Sequence, residues 1–146
     1  MKNFLSLFIL ILVAPFAIAE SMKGVNQVGL VIERLDDEAA RCNITNDLID
    51  ASVRILMSNS KIRIVRNDAF TNQYLYINVN VLENSGNCTI ALEMSFRKYI
   101  PSEKDVGAFW SKGELLTRRS INAPTGVSDA VERMTKQFIS AWLRQN

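Results

Sequence analysis

The chain has 146 residues, enough for one domain with a sizeable core but not for two. Its 17 basic and 15 acidic residues give a net charge of +2, too little to draw it to nucleic acid or to an anionic membrane surface. It contains no histidine, which excludes Ser-His-Asp and Cys-His catalysis and the usual zinc sites, and phosphate-cradling glycine patterns are missing.

Residues 1–19 (MKNFLSLFILILVAPFAIA) have the form of a secretory leader. Lys2 supplies the positive start, Phe4 to Val13 the apolar run, and Ala17-Ile18-Ala19 a small-x-small cleavage site. The run is shorter than the roughly 20 residues a spanning helix needs. The expectation is a cut after Ala19 and a single exported domain over residues 20–146, periplasmic or secreted. No cysteine follows the cut, so a lipid anchor is not expected, and without a second apolar run of the required length neither is a membrane span. Cys42 and Cys88 then meet an oxidising compartment and are expected to form a disulfide. A bridged loop of about 47 residues contributes roughly 4 kcal/mol in the chain-entropy treatment.

Residues 20–26 carry no periodic signal and read as a loose lead-in. Gln27 to Leu35 is an apolar, β-branched run suited to a buried strand. Asp36-Asp37-Glu38 ends it and reads as a solvated turn, since adjacent carboxylates do not converge and the EF-hand spacing is absent. Thr45 caps a helix whose Leu48, Ile49, Ser52, Val53, Ile55 and Leu56 recur at three- and four-residue spacing. Asn59 is expected to stop it in a left-handed conformation. Lys61 to Val65 is a short strand, and a connection opening at Asn67-Asp68 leads to Gln73.

Tyr74 to Tyr99 is the strongest pattern, two long strands around a tight turn. Leu75, Ile77, Val79 and Val81 alternate with Tyr74, Tyr76, Asn78 and Asn80. On the return strand Ile90, Leu92, Met94 and Phe96 alternate with Thr89, Ala91, Glu93, Ser95, Arg97 and Tyr99. Keeping both apolar sets on one side, with Ser85-Gly86 at the tip, places Val79 opposite Leu92 and Tyr74 opposite Arg97. Cys88 then lies on the apolar face, where a covering helix brings Cys42 within reach.

Val106 to Leu116 is a further strand whose Gly107 and Gly113 point to a bulge or an edge position. After Asn122-Ala123-Pro124, a last helix capped by Thr125 or Ser128 carries Val127, Val131, Met134, Phe138, Ile139 and Trp142 in one stripe. Such a stripe can lie on a membrane, but in a small chain it is needed to cover the sheet. The order β-α-β-β-β-β-α predicts a two-layer α+β fold: a mixed sheet of about five strands with two helices on one face.

The other face carries the candidate binding residues, Tyr74, Tyr76, Asn78, Asn80, Glu93, Arg97, Tyr99 and Trp110, with Lys112. Aromatic and arginine side chains on a rigid sheet build recognition surfaces. The competing reading is cross-strand pairing, with Tyr74 over Arg97 stabilising the hairpin. Glu93 and Glu114, assigned to the same face, are the carboxylate pair of an enzymatic alternative. Ser111 and Lys112 alternate across the strand and form no dyad. Metal and cofactor sites are not expected. Asn43-Ile44-Thr45 and Asn87-Cys88-Thr89 match the N-glycosylation pattern, and each sits at a cap or turn.

The succession of a strand, a capped helix ending in Ser58-Asn59-Ser60, the Lys61–Val65 strand, a three-strand meander and a closing helix resembles the TolB N-terminal domain. It is also similar to the periplasmic domains of the curli-secretion and penicillin-binding-protein-activator lipoproteins. Cys42-x-Ile44-Thr45, Tyr74-Leu75-Tyr76-Ile77-Asn78-Val79-Asn80-Val81-Leu82, Cys88 and Trp110…Gly113…Leu115-Leu116 resemble a group of small exported proteobacterial proteins of unknown function. These resemblances imply the domain and the compartment. The resulting expectation is a non-enzymatic envelope module whose partner is another envelope protein, with no nucleic acid bound. The alternatives are a small-molecule or glycan binder or enzyme inhibitor, and a carboxylate-dependent enzyme.

Overall fold

Alternation and turn chemistry in the hairpin set the frame of the molecule. A computed structural model describes residues 22–65 and 72–146. The leader with its cut after Ala19, and the Asn67-Asp68 opening of the connection, lie outside the described residues. The elements run β1 (Gln27–Ile32), α1 (Asp37–Arg41), α2 (Asn46–Ser58), β2 (Arg63–Val65), β3 (Gln73–Asn84), β4 (Asn87–Ile100), β5 (Asp105–Arg119) and α3 (Ala123–Leu143). The strands form one mixed sheet in the order β2-β1-β3-β4-β5, parallel across β2-β1-β3 and antiparallel across β3-β4-β5. This is the expected α+β fold.

The β3–β4 register is the one the alternation demands, with Leu75 opposite Phe96, Val79 opposite Leu92 and Tyr74 opposite Arg97. Ser85 and Gly86 both hold positive φ, 50° and 79°, which gives the hairpin a turn whose twist matches its strands. Leu75, Ile77, Val79 and Val81 of β3 and Cys88, Ile90, Leu92, Met94 and Phe96 of β4 are all buried. Helices α2 and α3 cover that face, joined to each other by a Ser52 Oγ to Ser128 Oγ hydrogen bond of 2.8 Å. Val127, Val131, Met134, Phe138 and Trp142 supply the α3 stripe, and the Phe138 ring lies 5.7 Å from that of Phe96 and 5.4 Å from that of Trp110. Truncating a ring packed like Phe138 costs about 3–5 kcal/mol, because the transfer and cavity terms add.

Cys42 and Cys88 form the disulfide, with Cα atoms 6.3 Å apart and both residues fully buried. It fastens the segment between α1 and α2 to the start of β4.

Several local expectations are overturned. Residues 22–26 are not a loose lead-in: Met22 and Val25 are buried, and the C-terminus clasps them. Trp142 Nε1 donates to Val25 O at 2.6 Å, and Asn146 Nδ2 to Met22 O at 2.9 Å. Trp142 belongs to the core stripe, so burying that stripe orders the lead-in as well. The acidic triplet is not a solvated turn. Asp36 caps α1 by accepting from Ala39 N at 2.8 Å, and the Glu38 carboxylate accepts Glu83 N at 2.9 Å, tying α1 to β3. In α2 the buried set is Ile49, Ser52, Val53 and Met57, while Ile55 is 65% exposed. Asn59 stays right-handed at φ −92°; the left-handed asparagine is Asn43, at φ 57°. Helix α3 starts at Ala123, with Pro124 in its first turn and no side-chain cap from Asn122. Ser128 is spent instead on Ser52.

Candidate functional site

Among the described residues, nothing covers the face of the sheet away from α2 and α3. Pairing assigns to it Tyr74, Tyr76, Asn78, Asn80 and Leu82 of β3, Glu93, Ser95, Arg97 and Tyr99 of β4, and Val106, Ser111, Gly113 and Leu115 of β5. Among the described residues, seven large apolar side chains are more than a third exposed, and four of them share this face. They are Leu82 (61%), Leu115 (73%), Val106 (41%) and Tyr99 (39%).

Its centre is a stacked and hydrogen-bonded group. Arg97 lies with its guanidinium carbon 3.8 Å above the Tyr76 ring centroid and donates from Nε to Ser95 Oγ at 3.0 Å. The Tyr76 hydroxyl donates to the Glu33 carboxylate just beyond β1. That hydrogen bond, with partial burial, holds the phenol's pKa above its ordinary 10.0. Ser95 is fully buried although it belongs to this face. Arg97 faces Tyr74 in the ladder but stacks on Tyr76, its diagonal neighbour, which the twist of a sheet brings within reach of a long side chain. The expected Tyr74–Arg97 stack is therefore replaced by a Tyr76–Arg97 stack.

Beside this centre a shallow depression is lined by Asn78, Asn80, Ala91, Glu93, Gly113 and Leu115 among others, none of them aromatic. Asn80 Nδ2 donates to Asn78 Oδ1 at 3.3 Å.

Trp110 is not part of this face. It pairs with Phe96 and sets its ring edge-on to Phe138 of α3, on the helix side. Lys112 pairs with Met94 and Glu114 with Leu92, which puts them on the helix side too. Glu114 Oε2 lies 2.6 Å from Arg133 Nη2 of α3, and this bond raises the arginine's pKa. Glu93 pairs with Gly113 on the open side, so the two carboxylates do not share a face. The physical reason is a bulge: Phe96 pairs with Trp110 but Arg97 with Ala108, and the extra residue Phe109 reverses the alternation of β5.

Glu33, Leu82 and Leu115 belong to the surface and were absent from the candidates. Leu82 was visible in the sequence as a leucine on the polar phase of β3. Leu115-Leu116, one out and one in, leaves the phase undecided. Glu33 reaches the face only through the parallel pairing of β1 with β3.

The arrangement defines a class, a two-layer α+β domain with one face of its sheet left bare by the described residues. No family model and no curated protein matches the sequence. Among solved structures the chain is similar to a DUF330-family protein of Xanthomonas campestris, with TM-score 0.49 and 9% identity over 82% of this chain and 86% of that one. It is similar to a minor lipoprotein from Acinetobacter baumannii, with TM-score 0.43 and 10% identity over 82% and 93%. A third is the rare lipoprotein B from Shewanella oneidensis, with TM-score 0.34 and 13% identity over 82% and 92%. Likenesses this distant carry no information on activity.

Proposed function

We propose that this protein is a non-enzymatic binding module of the bacterial cell envelope that meets another envelope protein through the bare sheet face. The observation that carries the reading is the exposure of Leu82 and Leu115 toward one end of that face and of Tyr99 and Val106 toward the other, with the hydrogen-bonded Tyr76–Arg97 stack between them. Apolar side chains flanking a hydrogen-bonded aromatic–arginine centre supply contact area at low side-chain entropy cost. The leader and the buried disulfide support an exported, oxidised setting. A glycan or small-molecule pocket would need a concave aromatic lining, and the depression beside Glu93 is shallow and lacks one. The carboxylate pair of the enzymatic alternative is divided between the two faces.

The test is crosslinking of the exported protein in its own cells, comparing wild type, Asn80→Arg/Leu82→Arg, and Arg54→Glu on the exposed side of α2. The double variant, fold verified by circular dichroism, is expected to lose the crosslinked partner while Arg54→Glu keeps it. Retention by both refutes the open face as the contact surface.

A further inference from the structure

The sheet has two edges, and they are unlike. At one end β2 is three residues long; at the other, β5 runs fifteen residues with one side paired to β4. Which backbone groups of β5 are left over follows from the ladder. Ser120 N donates to Gly86 O at 2.9 Å, one step past the Asn87–Arg119 pair. Hydrogen-bonded and non-bonded pairs alternate in an antiparallel ladder, so even-numbered residues from Trp110 to Arg118 turn their amides toward β4. Ser111, Gly113, Leu115, Thr117 and Arg119 turn theirs outward. Two observations agree. Tyr99 N bonds Asn72 O, which points the odd residues of β4 to β3, and the Thr117 carbonyl is free to accept Arg118 Nη1 at 2.9 Å.

The side chains flanking this edge differ by face. On the helix side, a groove between β5 and α3 is lined by Trp110, Lys112, Lys136, Gln137, Ser140 and Arg144. Lys136 lies 3.7 Å from Glu132, but among the described residues neither Lys112 nor Arg144 is in an ion pair. On the bare side the edge presents Leu115. A strand added here sends alternate side chains to the two faces, one set toward three cations and an indole, the other toward a leucine.

We propose that the outer edge of β5 is a second interaction surface, adjoining the bare face at Leu115, that takes an extended segment of a partner protein as a sixth strand. The segment alternates acidic with apolar residues. Its backbone closes the outward amides from Ser111 to Arg119, its carboxylates meet Lys112, Lys136 and Arg144, and its apolar residues cover Leu115. Against a second copy of this chain, the edge would instead set Lys112, Arg118 and Arg119 near their own like.

The test uses the whole exported domain with two capped peptides, one alternating Glu and Val, the other Lys and Val. Amide hydrogen exchange and Trp110 fluorescence are the readouts. The Glu-Val peptide is expected to slow exchange at Ser111, Gly113, Leu115 and Thr117, and the Lys-Val peptide is expected to leave it unchanged. Its affinity should fall about tenfold or more in high salt and in Lys112→Glu/Arg144→Glu, both exposed positions. Thr117→Pro, which removes an outward amide and no bond to β4, is expected to abolish protection. Asn80→Arg/Leu82→Arg should bind the peptide as wild type does, which separates the edge from the β3 part of the bare face. Equal protection by both peptides, or none from the acidic one at about 1 mM, overturns the proposal. So does concentration-dependent protection of the protein alone with a dimer mass, which gives the edge to a second copy.

Discussion

Removing the disulfide tests how the two layers are joined. Cys42 and Cys88 are 46 residues apart, and both are fully buried. Releasing a loop of that length returns about 14 cal/mol/K of chain entropy to the unfolded state, roughly 4 kcal/mol at room temperature. With a urea slope of about 2 kcal/mol per M, the unfolding midpoint should drop by about 2 M. The assay is urea denaturation of the oxidised protein, the reduced protein, and Cys42→Ala/Cys88→Ala. The reduced protein keeps both sulfur atoms, so its loss isolates the cross-link, while any further loss in the alanine variant reports the space left in the core. Hydrogen exchange should rise first at Asn43 and Ile44, which leave α1 through backbone bonds to Ala40 and Ala39. A midpoint shift on reduction of less than about 0.5 M would show that the unfolded chain already holds these segments together, and would refute the reasoning.

Three further outcomes follow from the sheet. The Tyr76 phenol is held protonated by Glu33, so its folded pKa lies above the unfolded value of 10.0. The stability this gives is complete below pH 10 and disappears as pH rises through the folded pKa. Ultraviolet titration should show Tyr76 ionising late, and Tyr76→Phe should remove both that step and its part of the alkaline loss of stability; a late step of undiminished amplitude in Tyr76→Phe refutes the assignment. Gly86, at φ 79° in open space, should cost about 1 kcal/mol as alanine through backbone strain alone, measured by thermal unfolding. Gly113→Ala, where the added carbon meets only Leu92 O at 3.6 Å, should be close to neutral by comparison.

What was legible in the sequence is what local chemistry decides. Period-two alternation on both arms of the hairpin admits one register, because a slip of one residue would put the apolar set of one arm, Leu75 and Val79 or Leu92 and Phe96, in water. The same register sends Cys88 inward, so the disulfide and the helix-covered face came with it. Helix α2 begins where Thr45 accepts Leu48 N at 3.2 Å, a contact three residues apart. Tertiary structure decided the rest. In β5 the adjacent apolar pairs Phe109-Trp110 and Leu115-Leu116 fit either phase, and only the pairing with β4, with its bulge at Phe109, turns Trp110 toward Phe138 and Leu115 outward. Glu114 looks like a solvent-facing carboxylate until α3 brings Arg133 to it, across 19 residues of sequence. Met22 and Val25 become core through Trp142, over a hundred positions away. Alternation fixes which side a residue takes within its own strand. Which strand lies beside it, and where an extra residue reverses the count, depends on contacts that no local pattern contains.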